Sequence, residues 1–91
     1  MEELLVKEKE IGYVSNYFGK LSVAAIEITT GKLSVGDTIH IKGHTTDFIT
    51  KVGSMQIEHN SVSAAKKGDS IGVKLSEKTR KKDKVFKVVT D

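Results

Sequence analysis

Along most of this chain apolar residues recur at every second position, and no stretch keeps the three-to-four spacing of an amphipathic helix. Ile39 and Ile41 point one way while Thr38, His40 and Lys42 point the other, and Ile71, Val73 and Leu75 repeat the pattern past Gly72. The alternation predicts six strands: Ile11–Phe18, Leu21–Ile28, Thr38–Lys42, Phe48–Glu58, Ile71–Leu75 and Asp83–Val89. Two of them change phase. Leu21 and Val23 give way to Ala24, Ile26 and Ile28, and Val52 falls opposite Met55 and Ile57 with Gly53 at the break. Such breaks mark bulges or barrel corners. Within the first strand, Gly12 marks a bulge or a close approach of another backbone.

Glycine punctuates these segments without any help from proline. Gly36-Asp37 and Gly68-Asp69 each end a turn, where the glycine lets the chain reverse and the aspartate accepts backbone N–H groups. Strands this short leave exposed edges unless the sheet closes on itself. The expected fold is therefore all-β: a small closed six-stranded antiparallel β-barrel over residues 10–91, preceded by a charged N-terminal arm over residues 1–9. Residues 1–10 read equally as a frayed arm or a short turn of helix.

Composition agrees with the pattern. Ten valines, eight isoleucines and eight threonines stand against five leucines and four alanines, and branching at Cβ favours a pleated sheet over a helix. Ninety-one residues suffice for one core, not two. No apolar run is long enough for a helical membrane span, the start of the chain lacks the basic and apolar regions of a secretion signal, and there is no cysteine. The expectation is a soluble cytoplasmic protein without a membrane partner.

The net charge of +3 is unevenly spread. Residues 66–91 hold nine basic groups against four acidic ones, and fourteen of the fifteen basic residues in the chain are lysines. A basic end attracts phosphate backbones, or it is a solvated surface that keeps the protein in solution. Lysine acts as a mobile point charge, so any nucleic acid held here would be gripped more than read.

Catalytic and ligand motifs are thin. Gly31-Lys32-Leu33-Ser34-Val35-Gly36-Asp37-Thr38 spaces its glycines like a phosphate-binding loop but has aspartate where the lysine must stand. Asp69-Ser70-Ile71-Gly72 matches a four-residue GTPase switch motif yet falls in a turn and strand. His40, His44 and His59 form no helical ligand pair, and nothing near Ser54 or Ser61 marks a nucleophile. The residues predict no catalytic group, no metal site, no cofactor and no enzyme. Tyr13, Tyr17 and Phe18 cluster near the first turn, either to stack on bases or to plug a barrel end, with Phe18 the better core residue.

The ordered series Gly12-x-Val14, Ala24-x-Ile26-x-Ile28-x-x-Gly31-x-Leu33-x-x-Gly36-Asp37-x-Ile39-x-Ile41, Val52-x-Ser54-Met55-Gln56-Ile57 and Val62-x-x-Ala65-x-x-Gly68-Asp69-x-Ile71-Gly72-Val73-x-Leu75 resembles the second domain of translational GTPases such as elongation factor Tu. Asp83-Lys84-Val85-Phe86 fits its close, although that family more often places an arginine–glycine turn where Arg80-Lys81-Lys82 stands. The resemblance implies a translation elongation factor-like, ribosome-associated module without GTPase activity, whose partner is tRNA or ribosomal RNA. Lys66, Lys67, Lys81, Lys82 and Lys84 would contact phosphates, and Gln56 with Tyr17 would line a small nucleotide pocket. A similar small barrel occurs as an appendage in the U32 peptidase-like family. The competing expectation is thus a protein-interaction module docking on a larger enzyme of that kind or on a separately encoded translation factor.

Overall fold

The structure is a computed structural model and describes residues 6–90. Its ten strands are β1 (Val6–Phe18), β2 (Val23–Ile28), β3 (Lys32–Ser34), β4 (Thr38–Lys42), β5 (Asp47–Lys51), β6 (Met55–Ile57), β7 (Asn60–Val62), β8 (Ala64–Lys66), β9 (Ser70–Lys74) and β10 (Lys84–Thr90). Eight of them form one antiparallel sheet in the order β5-β4-β10-β1-β2-β9-β6-β7, and β3 pairs with β8 in a separate ribbon. No helix occurs among the described residues, and so none is long and apolar enough to cross a membrane.

The all-β expectation holds, whereas the closed six-stranded barrel does not. The outer strands β5 and β7 are each paired on one side and are not paired with each other. Curvature replaces closure: Ile39 and Ile41 from β4, near one end of the sheet, share a single apolar cluster with Met55 from β6, near the other. The β3–β8 ribbon adds buried Leu33 and Ala65 to that cluster. The expected long strand Phe48–Glu58 divides in two. Val52 is buried, donates its N–H to Asp37 O at 2.9 Å and accepts from Gly36 N at 2.8 Å, so a turn's amides claim its backbone and the chain leaves β4 for β9.

Residues 1–5 lie outside the described residues, but residues 6–10 are strand. They continue β1 against β10 in the register Val6↔Thr90 to Glu10↔Phe86, where the expectation had been an arm or a turn of helix. The phase change in the second segment has a simple origin. Leu21 belongs to a turn and is 65% exposed, and the strand begins at Val23 with Ala24, Ile26 and Ile28 facing the core.

Three turns share one construction. In Ser34–Asp37, Lys66–Asp69 and Arg80–Asp83 the aspartate Oδ2 accepts the first residue's N–H at 2.8, 2.9 and 2.8 Å. Each aspartate N–H in turn donates to the first residue's carbonyl at 3.0, 2.9 and 3.1 Å. The third position has φ of 97° at Gly36, 96° at Gly68 and 75° at Lys82. Only in the last does a side chain occupy the left-handed conformation, which disfavours any residue with a Cβ. Lys82→Gly is therefore expected to stabilise the domain by about 1 kcal/mol, read as a higher urea midpoint at unchanged m-value. An unchanged or lower midpoint would contradict the shared construction.

Candidate functional site

A concavity of about 400 Å³ lies on the outward face of β2, β9 and β6. Its floor follows from side-chain size. Ala25 of β2 and Gln56 of β6 both stand opposite Gly72 of β9, so two of the three positions in that row carry a methyl group or nothing. A Cβ at Gly72 would come within 3.3 Å of Val23 Cγ1, which shows how closely the valine crosses this row. A sheet face made of such small residues is a trough between whatever rises on either side.

On one side rises the turn between β1 and β2. Leu21 N donates to Phe18 O at 3.1 Å and Ser22 N to Gly19 O at 3.3 Å, and this tight turn holds Phe18 (46% exposed) and Leu21 over the floor. On the other side is the β6–β7 hairpin, whose two connecting residues, Glu58 and His59, have φ of 49° and 69°. Positive φ at both central positions is the two-residue hairpin geometry that usually selects Asn-Gly. At the far end Ser70 donates its hydroxyl to the Glu27 carboxylate at 2.6 Å, and Ser15 donates to the same carboxylate at 3.4 Å.

Of the residues expected to contact RNA, Gln56 alone lines this trough. Tyr17, expected beside it, packs against the apolar core, while Phe18, the expected core residue, is the exposed one. The exchange follows from strand parity: the irregularity between Val14 and Asn16 in the β1–β2 register shifts which of the two aromatics faces inward. Lys66 ends β8 and Lys67 follows it in a turn, while Lys81 and Lys82 sit in the third aspartate turn. Lys84 opens β10 with its ammonium 3.7 Å from the Glu10 carboxylate. The structure thus distributes the five lysines over two separate turns and two strands and brings none of them into the lining of the trough.

A second cluster went unrecognised in the sequence. His40 sits on the outward face of β4, where alternation predicts a surface or rim residue, yet it is only 9% exposed. Glu8 of β1 covers it at 2.8 Å from Nδ1, and Asp47 of β5 takes Nε2. Phe86 of β10 packs a tilted ring 6.4 Å away. The signal that could have found it is register: Glu8 lies two strands away, and nothing local announces that β10 will separate them. His44 and His59 stand apart and exposed, and the described residues contain no group of three or more His, Cys, Asp or Glu able to hold a metal ion.

With a carboxylate at each nitrogen, the doubly protonated ring is favoured. The bond to Asp47 contributes most and that to Glu8 next, outweighing burial, so the His40 pKa is raised, while the same bond lowers that of Asp47. The His40 contribution to stability is then fully present below the unfolded value near 6.5 and is lost as pH rises through the raised folded value. Asp47 works oppositely, its contribution being lost only as pH falls through its lowered value. Relative to His40→Gln, the native chain is expected to be more resistant to urea at about pH 5.5 than at about pH 9. A pH-independent difference between the two proteins would show that the tie does not form.

No family model matches the chain. Over 78 residues, 85% of its length, it is 49% identical to an uncharacterized protease of Methanocaldococcus jannaschii and 40% identical to a collagenase of Porphyromonas gingivalis. The sequences it matches carry the names of proteases. It spans only about a fifth of each, 19% and 22% respectively. Among solved structures it superimposes with a TM-score of 0.80 on the C-terminal domain of a Geobacillus thermoleovorans protein described as a U32 peptidase, covering 87% of this chain and 91% of that one. At 17% identity this second likeness shows the fold.

These relatives correct the resemblance to the second domain of translational GTPases, and with it the elongation-factor, ribosome and RNA-binding expectations. The physical reason lies in the motif itself. Gly36-Asp37 and Gly68-Asp69 encode the reciprocal turns described above, and a turn specifies how a chain reverses, not what its surface meets. The expectation of no enzyme is corrected as well, since the matched relatives are named a protease and a collagenase, and these relatives agree instead with the competing expectation of a module that belongs with a larger U32 peptidase-like protein.

Proposed function

We propose that this domain serves a U32 peptidase-like protein by holding a segment of protein substrate in the trough between Phe18 and Leu21 on one side and Glu58 and His59 on the other. The observation that carries this reading is the trough itself, an apolar concavity on an outward sheet face with two large apolar side chains left in solvent beside it. Exposed apolar surface of this kind marks contact sites. The size relation supports it: a unit spanning about a fifth of its protease relatives is the size of an accessory domain. The collagenase name of one relative makes unfolded collagen a reasonable first ligand.

The test is direct binding of the 91-residue chain to immobilised gelatin and to an unfolded casein. Binding to at least one is expected, and Leu21→Glu, which alters an exposed turn residue, should weaken it about tenfold. Failure to bind either protein would refute the reading.

A further inference from the structure

The trough lining lacks the cations that dominate the charge of the chain. Its lining includes Glu58 and neither lysine nor arginine, in a protein where those two residues number fifteen. The Glu58 carboxylate is exposed on the hairpin tip and has no ion pair or hydrogen bond among the described residues. Gln56 is likewise exposed, and its side-chain amide, one donor group and one acceptor, is unpartnered beside the small-residue floor.

The backbone adds an independent observation. Ser22, Glu58, His59 and Lys82 are the non-glycine residues with positive φ among those described, and three of the four border this trough, Ser22 lying between the lining residues Leu21 and Val23. Glu58-His59 occupies a turn for which Asn-Gly would be less strained, so the hairpin forgoes stability at the position where it presents its carboxylate. Strain held at the rim of a concavity is where a side chain serves contact in preference to folding.

We infer that the trough takes an extended segment of a separate polypeptide in which an aliphatic or aromatic residue is followed by lysine or arginine. The apolar side chain lies on Ala25, Gly72 and Val23 against Phe18 and Leu21. The Gln56 amide meets a peptide group of the segment, and Glu58 takes the cation. This rests on the protein-holding reading above and narrows it to a sequence preference.

The experiment uses three fluorescein-labelled peptides in an otherwise Gly-Ser background, carrying Leu-Lys, Leu-Glu or Ser-Lys at the centre, titrated with the 91-residue chain at low ionic strength. The Leu-Lys peptide is expected to bind about tenfold tighter than either of the others. Glu58→Gln should bring Leu-Lys and Leu-Glu to within about twofold of each other, and Leu21→Glu should weaken both leucine-containing peptides about tenfold. Replacing Glu58-His59 by Asn-Gly should raise the urea midpoint while weakening Leu-Lys binding about fivefold, whereas a purely structural hairpin would gain stability at unchanged affinity. Equal binding of Leu-Lys and Leu-Glu, both weakened in Leu21→Glu, would overturn the inference of a cation held by Glu58 and leave the protein-holding reading standing. Absence of binding by all three peptides, gelatin and casein would overturn both.

Discussion

Gly12→Ala is expected to destabilise the domain strongly. A Cβ at Gly12 would stand 2.0 Å from Glu27 O and 3.0 Å from Glu27 C, both backbone atoms of the paired strand β2. The clash cannot be relieved by turning a side chain, so β1 and β2 must separate by about an ångström at the middle of the sheet, or the bulge between Glu10 and Gly12 must be rebuilt. Either adjustment is expected to cost about 3 kcal/mol, the upper part of the range for overpacking. Against a total of roughly 5–14 kcal/mol for a chain of this length, that leaves a substantial unfolded population on modest warming. Gly53→Ala is the control: its added Cβ meets nothing within 4 Å, and its urea midpoint should stay close to the native one. Similar midpoints for the two variants would show that the β1–β2 contact is looser than described.

Ile26→Ala should be nearly as severe for the opposite reason. Ile26 is fully buried at the centre of β2, with Val14 of β1 and Ile71 of β9 opposite it in register on either side. Removing its three outer carbons leaves a cavity walled by hydrogen-bonded strands that cannot collapse to fill it. A loss of about 3–4 kcal/mol is expected from the combined transfer and cavity effects. Ile49→Ala removes the same atoms from a residue 59% exposed at the sheet edge and should change stability by about 0.5 kcal/mol or less. The pair separates burial from residue type, and equal losses would mean the core cluster is wrongly assigned.

Much of the sheet was legible because the information was local. Alternation at Ile39 and Ile41, and again at Ile71 and Val73, requires only that one face of each strand be buried, and all four are. Gly12 was legible as a close approach because in a strand an absent side chain is itself informative. The Gly-Asp turns were legible because an aspartate and the amide it accepts lie three residues apart.

What went unread depends on strands that meet across long stretches of sequence. His40 alternates outward like any surface residue, and only the placement of Glu8 and Asp47 around it makes the position buried and paired. Phe18 and Tyr17 exchange expected roles through a single register irregularity. The trough needs Ala25, Gly72 and Gln56 in one row, three residues from three strands that nothing local associates.

By itself, then, the sequence determined the strand class, the inner faces and the reciprocal turns, since these follow from Cβ branching, period-two burial and hydrogen bonds spanning three residues. Only the tertiary structure decided that the sheet stays open between β5 and β7, that residues 6–10 run as strand against β10, and which outward residues gather into a trough or around an imidazole. Those outcomes rest on register, and register is settled when the whole core packs at once, because a shift of one residue would turn every buried side chain of a strand toward water.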